Sequence, residues 1–205
     1  MGLKSKTVRK YIHTTESRHG LPIAENKLER EFKVNAIGKV WVSDITFIRV
    51  KEEWRYLTTI LDLGDRKVIG YQLSDTAKTQ DTIIKAWSQA INYRAVKPGF
   101  LFHSDQGVQY ASKKFVRILE HLPHATQSMS RKGNCWDNAV AESFFKSLKY
   151  ECVYHHDFNS THELKKVIHE YIHWYNNDRI HSAIDFKTPA EKEKEFLGKY
   201  YSKRA

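Results

Sequence analysis

Cysteine is scarce in this 205-residue chain: there are two, Cys135 and Cys152. Their spacing is not that of a metal-binding pair, so both read as reduced and half-buried. A chain of this length buries most of the surface it exposes when unfolded, and needs no cross-link for stability. Also missing is any apolar run near the roughly 18–20 residues that a membrane-spanning helix requires. The opening residues, MGLKSKTVRKYIHTTES, are basic, but no apolar segment follows them, so they do not read as a secretory leader. There is no internal repeat and no low-complexity tract. Together these absences predict a soluble, cytoplasmic protein with no membrane partner.

Acidic residues are the minority charge. The 24 Asp and Glu face 34 Lys and Arg, for a formal net charge of +10. An excess of this size points to a polyanionic partner, most often nucleic acid, because neutralising each phosphate releases counterions. A basic surface that only keeps the protein dissolved is the bland alternative. Residues 1–38, with Lys4, Lys6, Arg9, Lys10 and Arg18, show little apolar periodicity and read as a basic arm. Such an arm either tracks a DNA backbone or is a disordered leader.

From Val40 the texture changes. VWVSDITFIRV alternates and is rich in β-branched and aromatic residues, as a strand requires. WRYLTTILDLGD and DRKVIGYQLS follow after short polar breaks, completing an antiparallel meander. QDTIIKAWSQAINYRA has helical apolar spacing, GFLFHSD reads as a strand buried on both faces, SKKFVRILEHL as a helix and ATQSM as a last strand. NAVAESFFKSLKYECV and STHELKKVIHEYIHWYNN are helices, and a short helix starts at Pro189. The order βββαβαβα predicts an α/β fold: a mixed five-stranded sheet flanked by helices, with extra helices at the C-terminus. The expected division is 1–38 arm, 39–158 core and 159–205 helical extension.

Three carboxylates stand out. Asp44 sits in mid-strand between Val42 and Ile45, an expensive place for an unpaired charge. Asp105 ends the fourth strand, at the carboxyl edge where α/β folds hold ligands. If the first and fourth strands are neighbours, the two converge, and a cation relieves their repulsion. Oxygen ligands without cysteine favour Mg²⁺ or Mn²⁺. In the helix after residue 137, Ala141, Phe144, Phe145, Leu148 and Cys152 form the burying stripe. Asn138, Glu142, Lys146 and Lys149 form the opposite one, which places Glu142 beside two lysines. A solvated Glu142–Lys146 pair is the plain alternative. Asp137 reads as the cap of this helix, accepting backbone N–H groups. Glu151 lies half a turn of phase away from Glu142 and cannot share its site.

VWVSDITFI, HSDQGVQYAS, SMSRKGNCWDNAVAESFFKSLK and YIHWYNNDRIHSAIDFKTPAE, in this order, resemble the integrase-type transposases of the third-numbered bacterial insertion-sequence family, within the retroviral-integrase superfamily. The resemblance covers about residues 1–195. It implies a ribonuclease-H-like core whose Asp, Asp, Glu triad maps onto Asp44, Asp105 and Glu142. Between Asp105 and Glu142 lie 36 residues, one more than is usual in the family, and the extra residue is expected in the loop around HLPHATQ. Family members usually carry a helical DNA-recognition region before the basic arm, whereas this chain begins inside that arm.

The resemblance further implies two metal ions held by the triad, with Asp44 bridging both, for DNA cleavage by water and strand transfer by a DNA 3′-hydroxyl. Lys146, Lys149, Arg131 and Lys132 are the residues expected to contact DNA. Transposon ends and target DNA are the expected partners, with a homo-oligomer to bring two ends together and a companion helix-turn-helix protein of the same element. A transposase remnant that binds DNA without cutting, and a metal-dependent nuclease of similar fold, are the other readings. His103 reads as a structural histidine, and Trp136 as packing on the core rather than stacking on a base. His169-Glu170-Tyr171-Ile172-His173 matches the H-E-x-x-H zinc signature, yet both histidines fall on the polar face of their helix, and only Glu191 or Glu193 can be nominated as a third ligand.

Overall fold

The computed structural model describes residues 19–202, so Lys4, Lys6, Arg9, Lys10 and Arg18 of the expected arm lie outside the described residues. β1 (Val40–Val50) and β2 (Glu53–Asp62) pair antiparallel from Val50↔Glu53 to Trp41↔Asp62, joined by a two-residue turn in which Lys51 takes φ 51°. A positive φ is what a tight hairpin turn demands, because it matches the twist of the flanking strands. β3 (Val68–Ser74) pairs antiparallel with β2. β4 (Leu101–Ser104) and β5 (Thr126–Met129) add in parallel, giving the order β3-β2-β1-β4-β5. β1 and β4 are therefore neighbours.

Among the described residues six α-helices accompany the sheet: α1 (Ile83–Tyr93), α2 (Val108–Ala111), α3 (Lys113–Glu120), α4 (Ala139–Glu151), α5 (Thr161–Asn177) and α6 (Pro189–Ser202). Strand alternation splits the core into two. Trp41 and Ile45 of β1 join Ile60, Trp87, Phe100, Phe102 and Phe115 on one face. Val42 and Ile48 join Leu57, Leu61 and the α4 and α5 residues Phe144, Leu148, Leu164 and Ile168 on the other. The apolar cluster thus continues across position 158 into the C-terminal helices. Among the described residues no helix is long and apolar enough to cross a membrane.

Two sequence expectations need correction, and one helix was not anticipated. The helix from Pro189 is not short: it runs 14 residues. Its start is a reciprocal cap, in which Thr188 Oγ1 accepts the Glu191 N–H (3.2 Å) and Glu191 Oε2 accepts the Thr188 N–H (2.8 Å). Charged at every position from Glu191 to Glu195, it lacks the apolar repeat by which a helix is recognised. Cys152 is buried rather than half-buried, because it continues the α4 apolar stripe into the core; the Cys135 side chain lies outside the described set. α2 is a single turn, too short to show periodicity. Residues 19–38 contain no helix or strand, but they are docked on the body: Leu28 is buried in the core, and the Lys27 and Leu28 N–H groups donate to Ser128 Oγ.

α1 crosses β3 at Gly70. A Cβ built there would stand 2.3 Å from the Ala86 carbonyl oxygen, against helix backbone that cannot swing aside. Gly70→Ala is expected to destabilise the fold by about 3 kcal/mol or more, read from the urea midpoint, because overpacking here forces apart two rigid elements.

Candidate active site

Strand register brings the two aspartates together. β1 and β4 run parallel with Val42 opposite His103. Two residues further along each lie Asp44 and Asp105, on the face that α4 covers. The Ile45 N–H donates to Asp44 Oδ1 (2.7 Å), and the Gly107 N–H donates to Asp105 Oδ1 (3.0 Å) in the turn leaving β4. Under the pair, Tyr110 is fully buried with its hydroxyl 2.9 Å from Ser43 Oγ. Burial first, then the charges of Asp44 and Asp105, hold the Tyr110 phenol well above its usual range, so it stays neutral.

α4 supplies the third acid with the phase read from its sequence. Ala141, Phe144, Phe145 and Leu148 are buried, while Glu142 and Lys146 are exposed. Its start is fixed to β1 beside Asp44 by Asn138, whose Nδ2 donates to the Ser43 carbonyl (3.0 Å). Burial, then Asp105, then Glu142 raise the Asp44 carboxyl well above the usual range, against lowering by the Ile45 N–H and by Lys149. Burial and Asp105 raise Glu142 as well. Asp44 thus feels both Asp105 and Glu142, and Glu142 feels Asp105, as carboxylates brought near one another do. The half-buried Lys149 also faces Asp44, and burial lowers its proton affinity. No ion pair joins Glu142 to Lys146 among the described residues, although both are exposed.

As the side chains stand, the described residues contain no group of three His, Cys, Asp or Glu that could hold a metal ion. The donor set itself, three carboxylates that repel one another beside buried backbone, matches the needs of a hard divalent cation. Glu142 stands on the exposed face of α4.

Asp137 is not the helix cap. Asn138 occupies that position, and Asp137 is buried in the turn before it. Its carboxylate accepts the Arg131 N–H and Nε (3.0 and 2.9 Å), Arg131 Nη2 (2.8 Å), Arg30 Nε (2.8 Å) and Asn26 Nδ2 (3.0 Å). The Arg131 hydrogen bonds lead the effects that hold this carboxyl below the usual range. Arg131, expected at DNA, thus has its guanidinium fork engaged by Asp137, while Lys132 is exposed. Asn26 and Arg30 were out of reach of any local pattern, being more than 100 residues away in the chain.

Trp136 is also corrected: it is 69% exposed and does not pack on the core. His103 is fully buried, hydrogen-bonded to Ser128 Oγ (2.8 Å) and Ser130 Oγ (3.2 Å), and burial pushes its pKa down to about 4. Glu151 pairs with Arg179 (2.6 Å) and accepts from the Tyr171 hydroxyl (2.7 Å), far in phase from Glu142. His169 and His173 are exposed, with His169 bound to the Tyr71 hydroxyl (2.7 Å). Glu193 pairs with Lys67 and Glu191 caps α6, so neither nominated third ligand accompanies the histidines.

Comparison with known proteins agrees with this geometry. Two family models, both described as integrase core domain, match residues 35–135 and 124–189. The chain is 38% identical to a transposase for insertion sequence element IS904 from Lactococcus lactis, over 95% of this chain and 76% of that protein. It is 36% identical to transposase InsF for insertion sequence IS3A from Escherichia coli, over 96% of this chain and 68% of that protein. Among solved structures, the HTLV-2 integrase catalytic core domain in complex with magnesium superimposes with a TM-score of 0.57 at 19% identity, covering 75% of this chain and 94% of that one. The five-stranded sheet with its helices is thus the ribonuclease-H-like fold of retroviral integrase cores. Identity above a third across more than two thirds of the relatives' length places this chain in the family of insertion-sequence transposases built on the integrase core domain.

Proposed function

We propose that the chain is the catalytic part of a DNA transposase, and that Asp44, Asp105 and Glu142 are its catalytic acids. What supports this is the strand register that sets Asp44 beside Asp105, together with the electrostatic effect of Asp105 and Glu142 on Asp44 and of Asp105 on Glu142. Asp44, Asp105 and Glu142 would hold divalent ions, Mg²⁺ or Mn²⁺, two in number, which would supply Lewis-acid charge stabilisation for the attacking and departing oxygens of an in-line displacement. In cleavage, water attacks a phosphorus and the P–O3′ bond breaks, leaving a 3′-hydroxyl. In strand transfer, that hydroxyl attacks a target phosphorus, and one phosphodiester forms as another breaks.

The chain's own groups prepare this step. Asn138 and Ser43 fix the start of α4 against β1, so Glu142 and Asp44 keep their spacing. Lys146, Lys149 and Lys132 contact DNA phosphates and position the duplex without reading its sequence, and the exposed remainder of Arg131 joins them. The catalytic core spans 39–158 and the C-terminal extension 159–205. Action on two DNA ends calls for a homo-oligomer.

The test is cleavage and joining of labelled duplex ends in Mg²⁺, in Mn²⁺ and after chelation. Products that appear with either ion and disappear on chelation are expected. Wild-type protein that binds these ends yet yields no product with either ion overturns the catalytic reading in favour of DNA binding alone.

A further inference from the structure

Beyond Lys149 the site opens into a cleft that the strand-transfer chemistry leaves unused. It lies between the end of the β1–β2 hairpin and the segment following α4, and has a volume of about 730 Å³. Clefts that hold small ligands range over about 300–1,000 Å³, so a nucleotide-sized group fits. Two kinds of side chain line it. Arg49, Lys51 and Lys149 are cationic and outnumber the one acid of the lining, Asp157. Arg49 is partly neutralised by Glu52 outside the lining (2.5 Å), but neither Lys51 nor Lys149 has an ion-pair partner among the described residues. Trp54 and Tyr154 are aromatic and open to solvent, at 42% and 64% exposure.

These rings are held. Trp54 meets Phe47 edge-on at 6.5 Å, and Phe47 in turn meets Tyr56 at 5.0 Å. Tyr154 packs edge-on against Tyr150 at 5.4 Å. A T-shaped partner fixes a ring and covers at most one of its two faces. Burying Trp54 and Tyr154 in the core would be the ordinary use of such residues; here both are kept out of it. Interleaved cations and exposed, oriented aromatics are what a single strand of nucleic acid requires, phosphates on the cations and bases on the rings.

We propose that this cleft binds an unpaired DNA strand, a few nucleotides separated from their complement, as it leaves the catalytic acids. Lys149 belongs to both places, facing Asp44 on one side and lining the cleft on the other. A strand whose phosphate sits at the acids therefore enters the cleft without a gap in its charge neutralisation. The inference rests on the reading of the chain as a DNA strand transferase and adds that the substrate end is splayed, one strand being held by stacking.

The experiment compares binding of the full chain to a blunt duplex and to a fork of the same sequence with three unpaired terminal nucleotides, by fluorescence anisotropy at fixed salt. Trp54→Leu and Tyr154→Leu, singly and together, keep apolar bulk but remove the stacking surface; Trp54→Phe keeps a ring. The fork is expected to bind more tightly than the blunt duplex. The double variant is expected to lose about tenfold to a hundredfold on the fork and less than about twofold on the duplex, with Trp54→Phe retaining most of the affinity. A 2-aminopurine placed among the unpaired nucleotides should be quenched by wild type and not by the double variant. Equal loss on both DNAs, or none on either, overturns the cleft assignment while leaving the transposase reading intact. Wild type that binds neither DNA overturns both.

Discussion

Asp44→Asn and Glu142→Gln are each expected to lower strand transfer by at least about a thousandfold while duplex binding stays within a few-fold of wild type. Several kcal/mol of charge stabilisation is lost when a carboxylate ligand is removed, and each 1.36 kcal/mol is a factor of about ten. The assignment of the third acid is exposed to a direct failure: Glu142→Gln fully active beside an inactive, folded Asp137→Asn would transfer the role to Asp137. Stability gives an independent reading. The folded-state pKa of Asp44 lies above its unfolded value of 3.8, so the folded protein binds that proton more tightly. The resulting stability is complete below the unfolded pKa and is lost as pH rises through the folded one. At neutral pH the ionised Asp44 therefore costs the fold on the order of 1 kcal/mol. Asp44→Asn should melt about 2–4 °C above wild type without metal, and the difference should narrow toward pH 4. Mg²⁺ should raise the melting temperature of wild type but not that of the variant. A variant that is less stable than wild type at pH 7 would mean that Asp44 is a structural anion.

Arg94→Ala is expected to destabilise the protein by about 3–5 kcal/mol, a large share of the 5–15 kcal/mol that holds a typical domain together. Arg94 is buried and reaches Asp62 Oδ2 (2.8 Å) and Asp65 Oδ2 (2.6 Å), two fully buried carboxylates, and also Glu193 of α6. Asp62 in addition accepts the Gly38 N–H (2.6 Å) and the Trp41 indole N–H (3.0 Å). Removing the guanidinium leaves three acids around one site. Burial already raises Asp65 to about 6 against the lowering effect of Arg94. In the variant that opposition is gone, so Asp65 titrates higher still. Its protonation then favours the folded state, so the stability deficit should shrink as pH falls from the variant's higher pKa toward 6 and level off below 6. Urea denaturation at pH 7.5 and 5.5 measures both effects. A deficit below about 1 kcal/mol, equal at the two pH values, would show that the network is not what ties α6 to the sheet.

Much of this site was legible from the residues because it depends on short-range order. The alternation of VWVSDITFI fixes which face Asp44 takes, and the 141/144/145/148 stripe turns Glu142 away from the core; both periods are properties of a local backbone. The meeting of Asp44 with Asp105 needed only that β1 and β4 be adjacent. What stayed hidden depends on distant partners. Asp137 looks like a cap because it precedes a helix, and only the docking of residues 26–30 makes it a buried receptor for two arginines. Trp136 is large and apolar, so burial was the natural reading; its position on a turn before α4 keeps it outside. The length of α6 escaped because charged side chains carry no apolar period, although the Thr188–Glu191 cap was present in the sequence.

The Asp137 carboxylate has a consequence for communication within the chain. It joins Asn26 and Arg30 of the N-terminal segment, Arg131 of the loop and, through the adjacent Asn138, the start of α4. A ligand that draws Arg30 away leaves a buried anion with fewer donors, and the turn that launches the catalytic helix bears that strain. Linkage runs equally in both directions: whatever loosens residues 26–30 from Asp137 also loosens the turn before α4, and whatever steadies that turn strengthens the hold on residues 26–30. Two segments more than 100 residues apart in sequence therefore share one buried carboxylate and respond together.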